Sequence, residues 1–259
     1  MTPDLKPLIV GNWKMNGDRD QLDQLAILAH RISHEFQQSV DVVVCPPATL
    51  LYVAKTISEG SPLMVGAQDC HNEATGAHTG DISAEMIADC LAEFCIVGHS
   101  ERRNNHRETN SHVAGKVKAC WRAGLASIVC IGETKAQYDA CEVDMIITKQ
   151  ITDSIPEGAT EKDTIIAYEP FWAIGSTKIP SLKSLKEIHA LIRDILVRRF
   201  GDHGLRIRIL YGGSVRPENA TELLSIQNVN GALVGGASLQ TADFLAICQS
   251  CQSLVRNHY

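Results

Sequence analysis

Short apolar runs recur along the whole chain, at residues 7–11, 40–45, 63–67, 94–97, 127–131, 164–168, 206–211 and 232–234. Each has the length of a strand, and the β-branched content of stretches such as Thr164-Ile165-Ile166-Ala167 reads as buried strand. Between the runs the apolar spacing changes to that of helices. Leu22, Leu25, Leu28, Ala29 and Ile32 share one helical face, as do Leu182, Leu185, Ile188, Leu191, Ile192 and Ile195. Eight strand runs alternating with helical segments predict repeated βα units and a parallel sheet. In a chain of 259 residues, eight units fit a closed α/β barrel better than an open doubly wound sheet, and no G-x-G-x-x-G fingerprint favours the open form. No linker or low-complexity tract divides the chain. The expectation is a single (β/α)8 barrel domain over residues 1–259, with eight parallel strands and surrounding helices.

Composition narrows the partners. A 44% hydrophobic content is enough for a sizeable core, and a formal net charge of −6 argues against nucleic acid or an anionic membrane as the main partner. The first residues, Met1-Thr2-Pro3-Asp4-Leu5-Lys6, lack the pattern of a signal peptide, and no apolar run approaches the roughly 20 residues of a membrane span. The nine cysteines are an odd number, and Cys45, Cys95 and Cys130 sit inside apolar runs. That placement suits buried thiols in a reducing compartment, hence a cytoplasmic location, rather than a disulfide framework. Cys248 and Cys251 form an isolated C-x-x-C in a helical segment, which gives no reason to expect a metal or redox site. Asn219-Ala220-Thr221 fits a glycosylation sequon that has no meaning without secretion.

In a barrel, chemistry concentrates at the C-terminal ends of the strands. After the sixth run the chain reads Ala167-Tyr168-Glu169-Pro170-Phe171-Trp172-Ala173-Ile174-Gly175, a carboxylate where a strand ends and an apolar loop begins. Trp172 and Ile174 would keep water scarce around Glu169, and burial of that kind raises a carboxylate's pKa and strengthens it as a base. The first run ends Gly11-Asn12-Trp13-Lys14, placing a cation at a buried strand end, where it needs an anionic partner. The fourth ends Gly98-His99-Ser100-Glu101-Arg102-Arg103, with a helix starting soon after, and a helix N-terminus disfavours a proton on His99. Glu101 stands where it could pair with Lys14. The seventh and eighth runs end Tyr211-Gly212-Gly213-Ser214-Val215 and Val234-Gly235-Gly236-Ala237-Ser238, glycine pairs that let backbone N–H groups approach a phosphate. The long loop from Gln68 to Asp81 carries His71, His78 and Cys70 without a diagnostic metal spacing, and is expected to insert into a neighbouring subunit.

Taken together, Gly11 through Asn16, Val97 through Arg103, Ala167 through Gly175, Tyr211 through Val215 and Leu233 through Leu239 resemble the signatures of the triosephosphate isomerase family, in the right order and over essentially the whole chain. The resemblance implies interconversion of dihydroxyacetone phosphate and D-glyceraldehyde 3-phosphate through an enediol(ate), with no metal or cofactor. It implies that Glu169 moves the proton between carbons and that neutral His99 polarises the carbonyl. Lys14 and Asn12 would stabilise the enediolate, with Glu101 in the catalytic network. Phosphate would be held by Gly175, Ser214, Gly235 and Gly236. Pro170, Phe171, Trp172, Ala173, Ile174, Gly175, Ser176, Thr177 and Lys178 would form a lid that excludes water. A homodimer is implied too, with Thr79 and Gln68 at the contact.

The chain departs from the family pattern in several places. Ser176-Thr177-Lys178 stands where Thr-Gly-Lys is usual, which removes easy access to positive φ at the lid tip, and Pro180 fixes a further angle. The expectation is altered lid kinetics with the chemistry intact. Asp69 replaces Asn, Asp81 replaces Glu, which weakens any ion pair with Arg102, and Asn230 replaces Asp. Two rival readings use the same residues: an isomerase of a four-carbon ketose phosphate such as an erythrulose phosphate, and a non-catalytic phosphate-binding barrel.

Overall fold

The computed structural model describes residues 5–32, 34–174 and 179–256. Eight strands, β1 (Leu8–Asn12), β2 (Asp41–Cys45), β3 (Met64–Ala67), β4 (Phe94–Val97), β5 (Ala126–Ile131), β6 (Thr164–Tyr168), β7 (Arg208–Tyr211) and β8 (Gly231–Val234), pair parallel in sequence order. The sheet closes when β8 pairs with β1, Leu8 opposite Gly231 and Gly11 opposite Val234. The expected (β/α)8 barrel is what forms.

Helices return the chain on the outside of each strand. They are α1 (Gln21–Arg31), α2 (His34–Ser39), α3 (Leu51–Ser58), α4 (Ala84–Asp89), α5 (Ser100–Asn105), α6 (Asn110–Arg122), α7 (Lys135–Asp139), α8 (Val143–Ser154), α9 (Leu182–Phe200), α10 (Asp202–Arg206), α11 (Pro217–Ser225) and α12 (Thr241–Arg256). In α9 the apolar spacing seen in the sequence turns Leu185, Ile188, Ile192 and Ile195 inward, while the Ser181 hydroxyl accepts from the Ser184 N–H at the first turn and Gly201 ends the helix at φ 55°. The run expected at 206–211 is shorter as a strand because Asp202–Arg206 form α10, leaving only Ile207 before β7.

Strand side chains alternate between two cores, which is why the runs read as continuously apolar. Leu8, Val10, Val43, Ile96, Ile128, Ile165, Leu210 and Leu233 fill the barrel interior together with Cys45 and Cys130. Their neighbours Ile9, Val42, Val44, Val97, Val129, Ile166 and Ile209 pack outward against the helices. Each fully buried Ile, Leu or Val contributes about 1.5–3 kcal/mol relative to exposure. Cys248 and Cys251 are buried on the inner face of α12.

One buried polar knot holds the barrel's lower rim. Asn230 Oδ1 accepts from Arg193 Nη2 at 2.9 Å and from the Ile209 N–H at 3.1 Å, tying α9 and β7 to the start of β8. Burial pushes the Arg193 guanidinium down to about 10. Among the described residues no helix is long and apolar enough to cross a membrane.

Candidate active site

A cavity of about 580 Å³ opens at the C-terminal ends of the strands. It is lined by Asn12, Lys14, His99 and Glu169 from β1, β4 and β6, and by Gly212–Val215 and Gly235–Ala237 from the loops after β7 and β8. The strand ends thus bring together Asn12, Lys14, His99, Glu169, Ser214, Gly235 and Gly236, residues separated by up to the length of the chain.

Lys14 adopts a left-handed backbone at φ 55°, an arrangement that costs a non-glycine residue strain. Two neighbours over-determine it. Asn12 Oδ1 accepts from the Lys14 N–H at 2.9 Å, and Gln68 Nε2 donates to the Lys14 carbonyl at 2.8 Å as well as to the Cys45 carbonyl. Gln68 therefore has an intrachain task beneath the catalytic rim. The Lys14 ammonium meets Glu101 Oε1 at 2.6 Å, the partner expected for it. Its stem also passes Gly235, where a Cβ would come within 3.4 Å of Lys14 Cε.

His99 caps α5. Its Nδ1 accepts from the Glu101 N–H at 3.2 Å, so a neutral ring carries its proton on Nε2. Nε2 lies 3.0 Å from Glu169 Oε1. Gly98, at φ 65°, allows this turn, since a Cβ there would sit 2.6 Å from Val113 Cγ2.

Glu169 is 1% exposed and its other oxygen accepts from the Ser100 N–H at 3.1 Å. Here the sequence reading needs correction. Burial does push this carboxyl up, but the adjoining His99, the Ser100 N–H and Lys14 together outweigh it and hold Glu169 below its ordinary value. The same contact corrects His99. Burial pulls the imidazole down, yet the carboxylate beside it raises its pKa overall. The sequence suggests an apolar loop over Glu169, whereas contact with a residue 70 positions earlier sets the charge.

The loop itself is anchored elsewhere. Phe171–Ala173 form one 3₁₀ turn, and Trp172 Nε1 donates to Glu133 Oε1 at 2.8 Å. The Tyr168 hydroxyl donates to the same carboxylate at 3.1 Å, and the Phe171 N–H to the Glu133 carbonyl at 3.0 Å. Burial raises the Glu133 pKa against these two side-chain donors. Glu133 was missed in the sequence, although Cys130-Ile131-Gly132-Glu133 is another carboxylate just past a buried strand. Of the expected lid, Pro170, Phe171, Trp172, Ala173 and Ile174 are described. Gly175, Ser176, Thr177 and Lys178 lie outside the described residues.

Glu101, Gln68 and Thr79 are not among the residues lining the cavity. Thr79 is exposed with most of its neighbours in the loop after β3, whose base is fixed by the His71 N–H on the Ile82 carbonyl at 2.8 Å. Arg102 pairs with Asp69 at 2.8 Å and Glu108 at 2.6 Å, and Lys116 pairs with the same two acids. The Asp for Asn exchange at position 69 thus supplies the second acid of a four-member network. Asp81 approaches His71 instead, at 3.9 Å.

Comparison with known proteins agrees with this geometry. The family described as Triosephosphate isomerase matches residues 7–251. Triosephosphate isomerase of Rhizobium meliloti (strain 1021) is 51% identical over 254 residues, 98% of this chain and 99% of that protein. That of Bradyrhizobium sp. (strain ORS 278) is 53% identical over 97% of this chain and all of the relative. The crystal structure of triosephosphate isomerase from Bartonella henselae superposes with a TM-score of 0.89 at 45% identity, covering 95% of this chain and 99% of the other. On the strength of this match along nearly its whole length, the chain belongs to the triosephosphate isomerase family.

Proposed function

We propose that this protein interconverts dihydroxyacetone phosphate and D-glyceraldehyde 3-phosphate, an aldose–ketose isomerisation of glycolysis and gluconeogenesis. The observation that carries the reading is the 3.0 Å contact between Glu169 Oε1 and His99 Nε2 in a cavity also lined by Lys14 and two glycine-pair loops. The family's full-length relatives bear the name of the triose enzyme, and nothing favours a four-carbon substrate or a purely binding role.

Glu169 has to be ionised when substrate arrives and strongly basic once it is bound. The depressed pKa meets the first condition. The second follows when the substrate carbonyl takes the His99 Nε2–H. The carboxylate then loses an attractive partner and keeps its burial, so its pKa climbs where the C–H bond is presented. Glu169 accepts the proton from the carbon next to the carbonyl. The C–H electron pair becomes the C=C bond of an enediolate, and the carbonyl π pair moves onto oxygen. His99 shifts a proton between the two oxygens, and Glu169 returns its proton to the neighbouring carbon.

Lys14 stabilises the oxyanion. At an effective dielectric near 20, unit charges about 4 Å apart attract by about 4 kcal/mol, enough to matter for a charge that develops during the reaction. Asn12 holds the Lys14 backbone, and Glu101 positions its ammonium until an anionic substrate competes for it. Ser214, Gly235 and Gly236, with Gly175, are assigned to the phosphate. The stretch from Pro170 to Lys178 acts as the lid, released from Glu133 as it closes and sealing the enediolate from water. No metal or organic cofactor enters these steps, because the substrate's own carbonyl acidifies the proton.

The whole chain, residues 1–259, is assigned to one barrel domain working as a homodimer in the cytoplasm. Met15, beside Lys14, is 96% exposed, an apolar side chain at the rim that a partner's Thr79 loop would cover. Free cysteines throughout the chain suit a reducing compartment. Sedimentation at micromolar concentration should give twice the chain mass, and a monomer would remove the dimer assignment. The activity is tested by proton NMR in D₂O with glyceraldehyde 3-phosphate as the only substrate. Appearance of dihydroxyacetone phosphate carrying solvent deuterium supports the reaction, and unchanged substrate rejects it.

A further inference from the structure

Behind the catalytic rim, three thiols from separate elements converge. Cys70 follows β3, Cys95 lies on the outer face of β4 and Cys120 lies on α6. Their sulfur atoms all lie within 4.8 Å of one another, with Cys70 and Cys120 at 3.7 Å. All three are buried, Cys70 at 3% exposure and the others at none. An ion bonded to each sulfur at about 2.3 Å, the length of a zinc–thiolate bond, would hold three sulfurs roughly 3.5–4 Å apart in a trigonal or pyramidal arrangement. The cluster needs only a small contraction to reach it.

Charge decides which ion fits. Three thiolates around a monovalent ion leave a net charge of −2, around a divalent ion −1, and around a trivalent ion zero. A net charge in a site this dry is costly unless a neighbour compensates it. The nearest cation, Lys116, is already committed to Asp69 and Glu108, and Arg102 to the same two acids, so two bases meet two acids with no charge to spare. Soft sulfur donors with no nitrogen or oxygen ligand among them select a thiophilic element. We propose that Cys70, Cys95 and Cys120 form a binding site for a trivalent thiophilic metalloid, of which arsenous acid is the accessible example.

The reaction needs no oxidant or reductant. As(OH)₃ and three S–H groups give As(SR)₃ and three waters, each As–O bond being replaced by an As–S bond while each thiol proton leaves with a hydroxide as water. Entry is from a cleft of about 440 Å³ lined by Cys70, Asp69, His71 and Lys116. Cys70 is the one of the three thiols that lines this cleft, so the exchange starts there. Cys95 and Cys120 are then reached from the inner side.

The test uses the full chain, reduced with a phosphine rather than a thiol, and arsenous acid as the probe. Non-denaturing mass spectrometry should show one arsenic per chain with three protons lost. Anomalous diffraction from crystals soaked in the same probe should place one arsenic atom among Cys70, Cys95 and Cys120, a readout that needs no substitution. Cys120→Ala should abolish the adduct while Cys141→Ser, at an exposed site, retains it. Absence of uptake overturns the proposal. So does an arsenic peak at Cys248 and Cys251, or an adduct that survives in a folded Cys120→Ala protein.

Discussion

The Glu169 carboxylate and the His99 ring meet at 3.0 Å, and each moves the other's pKa in the direction that favours the charged pair. A base held below its ordinary pKa is a weak base. The resting contact therefore keeps Glu169 a weak base, and substrate strengthens it by taking the His99 proton donor away.

The pH dependence follows with a definite sign. Glu169 is depressed in the folded protein, so its contribution to stability is present above the ordinary carboxylate value of about 4.3 and is lost as pH falls through the folded pKa. His99 is raised, so its contribution is present below about 6.5 and is lost as pH rises through its folded pKa. In His99→Asn the partner is gone and the burial remains. The acid limb of kcat/KM should move to higher pH than in the wild type, both measured with the same substrate so that its own phosphate ionisation is common to the two profiles. An acid limb that stays in place, or moves down, would contradict the pairing.

Gly212 keeps the base in position. A Cβ added there would stand 2.7 Å from Glu169 Cγ, so Gly212→Ala displaces the carboxylate stem without touching either of its hydrogen-bond partners. A misplacement of about 1 Å in a reacting group costs on the order of 100-fold in rate. Steady-state kinetics should show that loss in kcat with KM little changed, in a protein that retains its barrel by circular dichroism. Wild-type kcat would show that Glu169 has more room than this contact allows.

Much of this was legible in the sequence, for physical reasons that differ by residue. The barrel could be read because its strands are buried on both faces, so runs such as Phe94–Val97 are apolar without a break. Asn12, Lys14, His99 and Glu169 could be read because each is a polar residue at a buried strand's end. The charge balance of Glu169 could not, since it depends on a contact with His99 across the barrel mouth. Glu133 escaped for a related reason: what marks it is the Trp172 and Tyr168 donors that converge on it from the next strand. Gln68 carried no sign that its amide would hold the Lys14 backbone.

Asn230 offers a stability test away from the site. Among the described residues Arg193 has no acidic partner, and it donates to the neutral Asn230 side chain and the Gly204 carbonyl. Asn230→Asp places a carboxylate on the same atoms and converts a neutral acceptor into a charge-assisted one, a class of bond worth about 1.5–3 kcal/mol. Thermal unfolding at pH 7 should shift to higher temperature, and the gain should vanish as pH falls and the new carboxyl protonates. A lower midpoint at pH 7 would mean that desolvating the added charge outweighs the pairing.

The most direct measurement is kcat/KM for glyceraldehyde 3-phosphate in a coupled assay, comparing chelator-treated wild type with Glu169→Gln. The glutamine keeps the shape and burial of the side chain and cannot accept the carbon-bound proton. If Glu169 is the base, the wild type turns over without added metal and the variant loses about 10²–10⁴-fold in rate. A variant that retains wild-type turnover would place the proton transfer on another residue.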